Sequence, residues 1–348
     1  MLKDQLVEIF GGAPLEFEGL ALEIFKFQYR NSLPYRRFCE ARSKRPETVT
    51  RWTDIPHLPV TAFKKARIYA GTEPPVHTFL TSGTTAGSEE RGAHHFQDVD
   101  LYRAAALPVF KRFVLPDVER IPMFMLAMEP AQNPTSSLSW YLQQQAEAFG
   151  APGTGWFVGP EGLQAERLVE ALRSVREPVA LLGTAFAFVH LVDWMAERGL
   201  QLELPPGTRV METGGFKGKS RTVERSELYG LIRASLGRAV VCVNQYGMTE
   251  MSSNCYDQTL SAGSVLKAGP DWVRIRMLHP ETLHEVELGQ PGIVAVTDLA
   301  NLYSSAFLLT QDIGIQHPDG FEILGRAPGS EARGCSIAMD QFLAAQRG

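Results

Sequence analysis

Residues 79–96 read FLTSGTTAGSEERGAHHF, and the run Thr81-Ser82-Gly83-Thr84-Thr85-Ala86-Gly87 inside it decides how the chain is read. Four hydroxyls and two glycines follow a short apolar run. Glycine lets a ligand approach backbone amides, and short hydroxyl side chains add donors without bulk, so the composition suits a polyphosphate. Ser/Thr/Gly clusters are more often solvated turns, and this one lacks the Gly-Lys-Ser/Thr of a Walker A loop. Its meaning therefore depends on what surrounds it.

The surrounding sequence alternates between two periods. Apolar runs at 121–128 (IPMFMLAM), 178–183 (PVALLG), 208–215 (TRVMETGG), 239–247 (AVVCVNQYG) and 292–298 (GIVAVTD) read as strands, buried on both faces where the run is continuous. Segments 101–114, 165–175, 185–199 and 221–237 have helical spacing, the last two closing on Gly. This order predicts an α/β fold with a mostly parallel sheet. After about residue 255 the pattern becomes strands and turns, with HPET at 279–282 and GQPG at 289–292 as punctuation, which predicts a smaller β-rich subdomain.

Bulk properties narrow the partners. The 348 residues carry a net charge of -5, the wrong sign for a general nucleic-acid binder, and small molecules or proteins are the expected partners. The opening MLKDQLVEIFGG mixes acids with apolar residues, unlike a secretory leader, and no apolar run reaches membrane-spanning length, so a cytoplasmic protein is expected. Cys39, Cys242, Cys255 and Cys335 have no metal-ligand spacing and are expected as free thiols. The pair His94-His95 suggests a metal site, but adjacent side chains point to different sides of any regular element, so a loop or surface position is expected.

In open parallel sheets, ligands bind where strands end in turns. Three further turns have suitable chemistry. NQYGMTEMSSN (244–254) offers Tyr246 to stack on a base, Thr249 to meet a phosphate and Glu250 to hold Mg²⁺, which prefers carboxylate and phosphate oxygens. LLTQDIGIQ (308–316) presents Asp312 for ribose hydroxyls, and ILGRA (323–327) places Arg326 after a glycine.

Taken in order, TSGTTAG, METGG, YGMTE, TQDIG and LGR resemble the motifs of the adenylate-forming superfamily of acyl-CoA synthetases, luciferases and peptide-synthetase adenylation domains. Within it, LLGTAFAFVHL (181–191), METGGFKGKS (211–220), NQYGMTE (244–250) and EARGCSIAMDQF (331–342) resemble the acyl-protein synthetase (LuxE-type) family of bacterial bioluminescence. The resemblance spans nearly the whole chain. It implies the large domain of an adenylate-forming enzyme over residues 1–325: two parallel-rich sheets sandwiched with helices, plus the β-rich subdomain at about 256–325. It also implies a short tail, 326–348, in place of the small domain that delivers a lysine in acyl-CoA synthetases.

The activity implied is ATP-dependent conversion of a carboxylic acid, a fatty acid in the best-known members, to acyl-AMP, followed by acyl transfer to a thiol. Thr81, Ser82, Gly83, Thr84 and Thr85 would hold the ATP phosphates, with Arg91 as a helper. Gly214 and Gly215 would line the adenine, and Tyr246 would stack on it, with Gly247 and Met248 also at the nucleotide. Thr249 would contact the phosphate bound to the acyl group, Glu250 would bind Mg²⁺, and Asp312 and Arg326 would touch the ribose. Cys335, near the C-terminus, would accept the acyl group and pass it to a partner reductase or carrier protein. An unreactive thiol on an amphipathic tail helix is the other reading of Cys335.

Phe186, His190 and Phe216 are candidates for the acyl pocket, although core packing is the ordinary role of such residues and His190 is expected as a buried core histidine. Two alternatives remain: adenylation with CoA, a carrier-protein thiol or another acceptor in place of Cys335, and a non-catalytic nucleotide-binding subunit.

Overall fold

The computed structural model describes residues 1–81, 91–214, 223–326 and 333–347, the last stretch with side chains over 337–346. The chain forms two compact units, Val109–Met248 with Cys255–Val265, and Met1–Pro108 with Thr249–Asn254 and Leu266–Gly348.

The unit around Val109–Met248 is the α/β part. Its sheet runs, in spatial order, Cys255–Gln258, Val241–Tyr246, Arg209–Thr213, Ala180–Thr184, Met123–Met128, Gly155–Gly159 and Gly162–Leu163. The five strands between the first and last of these are parallel, and those two pair antiparallel with their neighbours in this set. The apolar runs are continuous because both faces are covered: Leu181, Val210 and Cys242 face one core while Met123, Met125, Leu182 and Met211 are buried as well. Helices Ala165–Arg173, Ala185–Glu197 and Arg225–Leu236 supply Leu168, Phe188, Leu191 and Ile232 to that first core.

Local chemistry sharpens these boundaries. Thr184 ends its strand and accepts a hydrogen bond from the Ala187 amide, capping the helix that starts at the next residue. Gly183 lies so close to the neighbouring strand that a Cβ there would meet Leu126 Cβ at 2.7 Å, so the position takes glycine for reasons of packing.

In the other unit nearly all strand pairing is antiparallel. Val273–Leu278, Pro291–Asp298, Phe307–His317 and Gly320–Arg326 form a meander, and Lys267 pairs with Phe321 beyond it. Leu58–Pro59 joins Leu308–Leu309 in parallel. Three N-terminal helices, Leu2–Phe10, Phe17–Asn31 and Leu33–Glu40, belong to this unit, as does the hairpin His77–Leu80 with Ala93–Phe96. The α/β reading holds, and among the described strands the parallel pairs lie in the Val109–Met248 unit apart from Leu58–Pro59 with Leu308–Leu309. The β-rich stretch after 255 divides: Cys255–Gln258 continues the parallel sheet's edge, and the strands from Leu266 onward join the N-terminal residues.

The C-terminal helix Arg333–Arg347 packs against Leu33–Glu40. Ala338 joins Leu278, Ile293, Ala295 and Leu309 in a small core, and Phe342 lies 6.1 Å from the Phe38 ring. Arg37 donates to the Gln346 carbonyl at 3.0 Å, which fastens the helix near its end.

Candidate active site

In the parallel-sheet unit, two expected nucleotide residues end neighbouring strands. Thr213 is in register with Gln245, so Gly214, just past its strand, and Tyr246, the last residue of its own, follow side by side at the carboxyl ends of the two strands. Gly214 has φ +76, a left-handed backbone that favours glycine, and among the described residues nothing lies within 4 Å of where a Cβ would sit. Tyr246 is 8% exposed, with most of its ring packed. Beneath them, Glu212 is buried and accepts hydrogen bonds from Asn244 Nδ2 at 2.7 Å and the Tyr229 hydroxyl at 3.0 Å. Asp257 accepts from the Asn244 amide at 3.0 Å. These bonds brace the strand ends.

In the other unit, Thr249 and Glu250 lie in a turn without regular structure, both half-buried. Side chains hold this turn in place. His94 Nδ1 lies 2.6 Å from the Thr249 carbonyl oxygen, and Asn301 Nδ2 donates to the Glu250 carbonyl at 2.8 Å. Just beyond, the amides of Ser252 and Ser253 donate to Asp298 Oδ2 at 2.9 and 2.8 Å, while the Ser253 hydroxyl donates to Oδ1 at 2.7 Å. Trp272 Nε1 donates to the same Ser253 hydroxyl oxygen at 3.0 Å. Asp298 is fully buried, and desolvation pushes its carboxyl above the usual range against the pull of these donors.

The hairpin that carries the hydroxyl-rich run closes at Thr81, whose amide donates to the Gly92 carbonyl and whose hydroxyl accepts from the Gly92 amide, each at 2.8 Å. Arg91 donates through Nε to the Thr81 carbonyl at 2.6 Å, which commits this guanidinium partly to the hairpin neck. Ser82, Gly83, Thr84 and Thr85 lie outside the described residues, as do Gly215 and Phe216.

Asp312 and Arg326 face each other across paired strands, with Arg326 Nε 4.0 Å from Asp312 Oδ1. The aspartate is 18% exposed and the arginine 65%. Gly247 and Met248 lead from Tyr246 into the Thr249–Glu250 turn, both half-buried. Cys335 lies in the first turn of the C-terminal helix, and its side chain is outside the described residues.

Two histidine expectations are corrected. His94 is a buried strand residue with 1% exposure, not a surface one, because the strand alternation turns it inward and His95 outward. His190 is exposed, not buried, and stacks edge-on to half-buried Phe186 at 4.4 Å. The helix Ala185–Glu197 gives the core its Phe188 face, which leaves His190 on the opposite side. The bracing roles of His94, Glu212, Asp298 and Asn301 have no local signature in the sequence, since each bonds a residue at least 32 positions away.

The sheet topology and the strand-end residues define the class as the adenylate-forming ligase fold. In solved structures that fold recurs in 2-hydroxyisobutyryl-CoA ligase, seen in complex with 2-HIB-AMP and CoA, at a TM-score of 0.66 and 18% identity over 88% of this chain and 68% of that one. It recurs again in ATP-bound MatB from Rhodopseudomonas palustris, at a TM-score of 0.54 and 16% identity over 74% of this chain and 49% of that one. The chain belongs to the acyl-protein synthetase LuxE family, whose profile matches residues 15–344, and as a member it is a ligase. The long-chain-fatty-acid–luciferin-component ligases of Aliivibrio fischeri and Vibrio harveyi are each 22% identical to it over 335 residues, 92% of this chain and 86% of each relative. Among the described residues, no helix is long and apolar enough to cross a membrane.

Proposed function

We propose that the protein activates a carboxylic acid with ATP and transfers the acyl group to its own Cys335, from which a partner protein takes it. In the first half, a carboxylate oxygen attacks the α-phosphorus, the bond to the β-phosphate bridging oxygen breaks, and acyl-AMP and pyrophosphate result. In the second, the thiolate of Cys335 attacks the acyl carbon, AMP leaves, and a thioester remains.

The observation that carries this reading is the Thr249–Glu250 turn, whose two carbonyls are taken up by buried donors. A turn fixed this way holds a hydroxyl and a carboxylate in set positions, which is what charge developing on phosphoryl oxygens requires. Glu250 would hold Mg²⁺; when bound, the ion neutralises phosphate charge, taking its other oxygens from phosphates and water. Tyr246 would stack on adenine beside Gly214, Asp312 would accept from the ribose hydroxyls, and Arg326 would donate to the ribose. Thr81 and the hydroxyl-rich run would hold the phosphates. Phe186 and His190, with Phe216, are the proposed acyl contacts.

Cys335 is supported as acceptor by the state of the other thiols. Cys39, Cys242 and Cys255 are buried, and burial raises the Cys39 thiol well above its usual range and Cys242 to about 12, so neither yields thiolate at neutral pH. A long-chain fatty acid is favoured as substrate by the names of the two relatives, and a reductase or carrier protein as final acceptor by the thioester chemistry.

The test is carboxylate-dependent exchange of labelled pyrophosphate into ATP over a series of acids of increasing length, run with the native chain and with Cys335→Ser. Exchange is expected in both, with labelled acyl-protein only in the native chain. Exchange with no acid would refute adenylation, and thioester on the Ser variant would remove Cys335 from the mechanism.

A further inference from the structure

The strand Ala93–Phe96 returns from the hydroxyl-rich run and pairs antiparallel with His77–Leu80. Along it the two histidines part. His95 is half-buried, with Nδ1 2.9 Å from the Thr78 hydroxyl within the hairpin. His94 turns to the other face and is buried between aromatic rings, with Phe63 at 5.8 Å and Phe96 at 4.2 Å between centroids. Its Nδ1 meets the Thr249 carbonyl oxygen at 2.6 Å. A carbonyl only accepts, so Nδ1 carries the proton.

This contact is informative because of what lies at its two ends. One is the hairpin of His77–Leu80 with Ala93–Phe96, whose two strands the hydroxyl-rich run joins in sequence. The other is the turn of Thr249 and Glu250, where no backbone ladder fixes the chain. Asn301 and Asp298 brace the turn from the end of Pro291–Asp298, and His94 braces it from the hairpin. Burial also lowers the His94 ring to about 4, so at neutral pH it stays uncharged with one fixed N–H.

We propose that His94 is a positioning residue for nucleotide activation: through its Nδ1–H it locks the Thr249–Glu250 turn to the hairpin bearing the hydroxyl-rich run, setting hydroxyl and carboxylate relative to the phosphates. The inference rests on the adenylation reading above. It assigns His94 no contact with substrate. Its effect comes through geometry, where misplacement of reacting groups by about 1 Å costs on the order of 100-fold.

Three substitutions separate this role from simple packing. In His94→Asn the side-chain nitrogen hangs from Cγ as Nδ1 does and keeps the donor in place. His94→Gln puts its nitrogen one atom further out, where Nε2 lies, and His94→Leu removes the donor while filling the space. Pyrophosphate exchange is measured for each with MgATP, magnesium and acid varied separately, alongside thermal unfolding.

His94→Leu and His94→Gln are expected to lose at least about 10-fold in kcat/KM for MgATP and to need more magnesium for half-saturation, with KM for the acid unchanged. His94→Asn should stay within about 3-fold of the native chain. Equal activity of His94→Leu and the native chain would overturn the inference. So would equal losses in His94→Asn and His94→Gln, or losses that track thermal stability alone. If His94→Leu does not fold, the contrast between His94→Asn and His94→Gln decides. Absence of exchange in the native chain would instead count against the adenylation reading.

Discussion

The parallel-sheet unit sets Gly214 and Tyr246 by regular backbone: Gly214 follows a strand directly and Tyr246 is the last residue of its neighbour, and Glu212, Asn244 and Asp257 tie those strands together beneath. The other unit sets Thr249 and Glu250 with side chains, His94, Asn301 and Asp298 doing what a ladder does elsewhere. The difference teaches where substitution is tolerated. A residue on a ladder is placed whatever its side chain, so changing it removes only its own contact. A turn held by buried hydrogen bonds moves as a whole when one bond is lost, because an unpaired buried group costs about 1–3 kcal/mol.

Removing the carboxylate itself should have the largest effect. Glu250→Ala is expected to lower pyrophosphate exchange by about 100- to 1000-fold, as loss of a charge-stabilising group does, while circular dichroism stays that of the native chain. Retained exchange would take Glu250 out of the magnesium site. Tyr246→Ala should be milder. The strand keeps its place, so only the stacking surface is lost, giving a rise of about 10-fold in KM for ATP at nearly constant kcat. A fall in kcat as large as that in Glu250→Ala would break the contrast between ladder-held and side-chain-held residues.

The smallest effect is read in stability against pH. Burial lowers His94 to about 4, and burial together with the Arg276 charge lowers His57 to about 3, from 6.5. Below 6.5 the unfolded chain binds protons that both folded rings refuse, so stability complete above 6.5 is lost as pH falls toward those values. The slope is about 1.4 kcal/mol per histidine per pH unit. Urea denaturation between pH 6 and 5 should show it, with a shallower slope in His57→Leu. Both rings belong to the antiparallel unit, whereas His190 of the parallel-sheet unit is exposed, so amide exchange should accelerate first in Pro291–Asp298 and last in Ala180–Thr184. Simultaneous acceleration in both strands would contradict this.

Much of the parallel sheet was legible because its information is local. Continuous apolar runs such as PVALLG appear as the strand Ala180–Thr184, and AFAFVHLVDWMAE as the helix that Thr184 caps. The turn after Val241–Tyr246 was legible in the letters, with Tyr246 at the strand end and Glu250 four residues on; Asp312, expected in a turn, instead lies within the strand Phe307–His317, and its place opposite Arg326 came only from the pairing. Periodicity does not reveal a partner. His94 and Thr249 are 155 residues apart, and Ser252 lies 46 from Asp298, so nothing in either neighbourhood announces the bond.

From the amino-acid order alone came the α/β class, the turn after Val241–Tyr246 and the family resemblance, since hydrophobic period and turn composition act over a few residues. Tertiary structure decided which way each histidine faces, that the strands after Leu266 join the N-terminal helices, and that a buried network holds the Thr249–Glu250 turn. Those outcomes depend on burial and on hydrogen bonds between distant segments, and a buried polar group finds its partner only when the chain has closed around it.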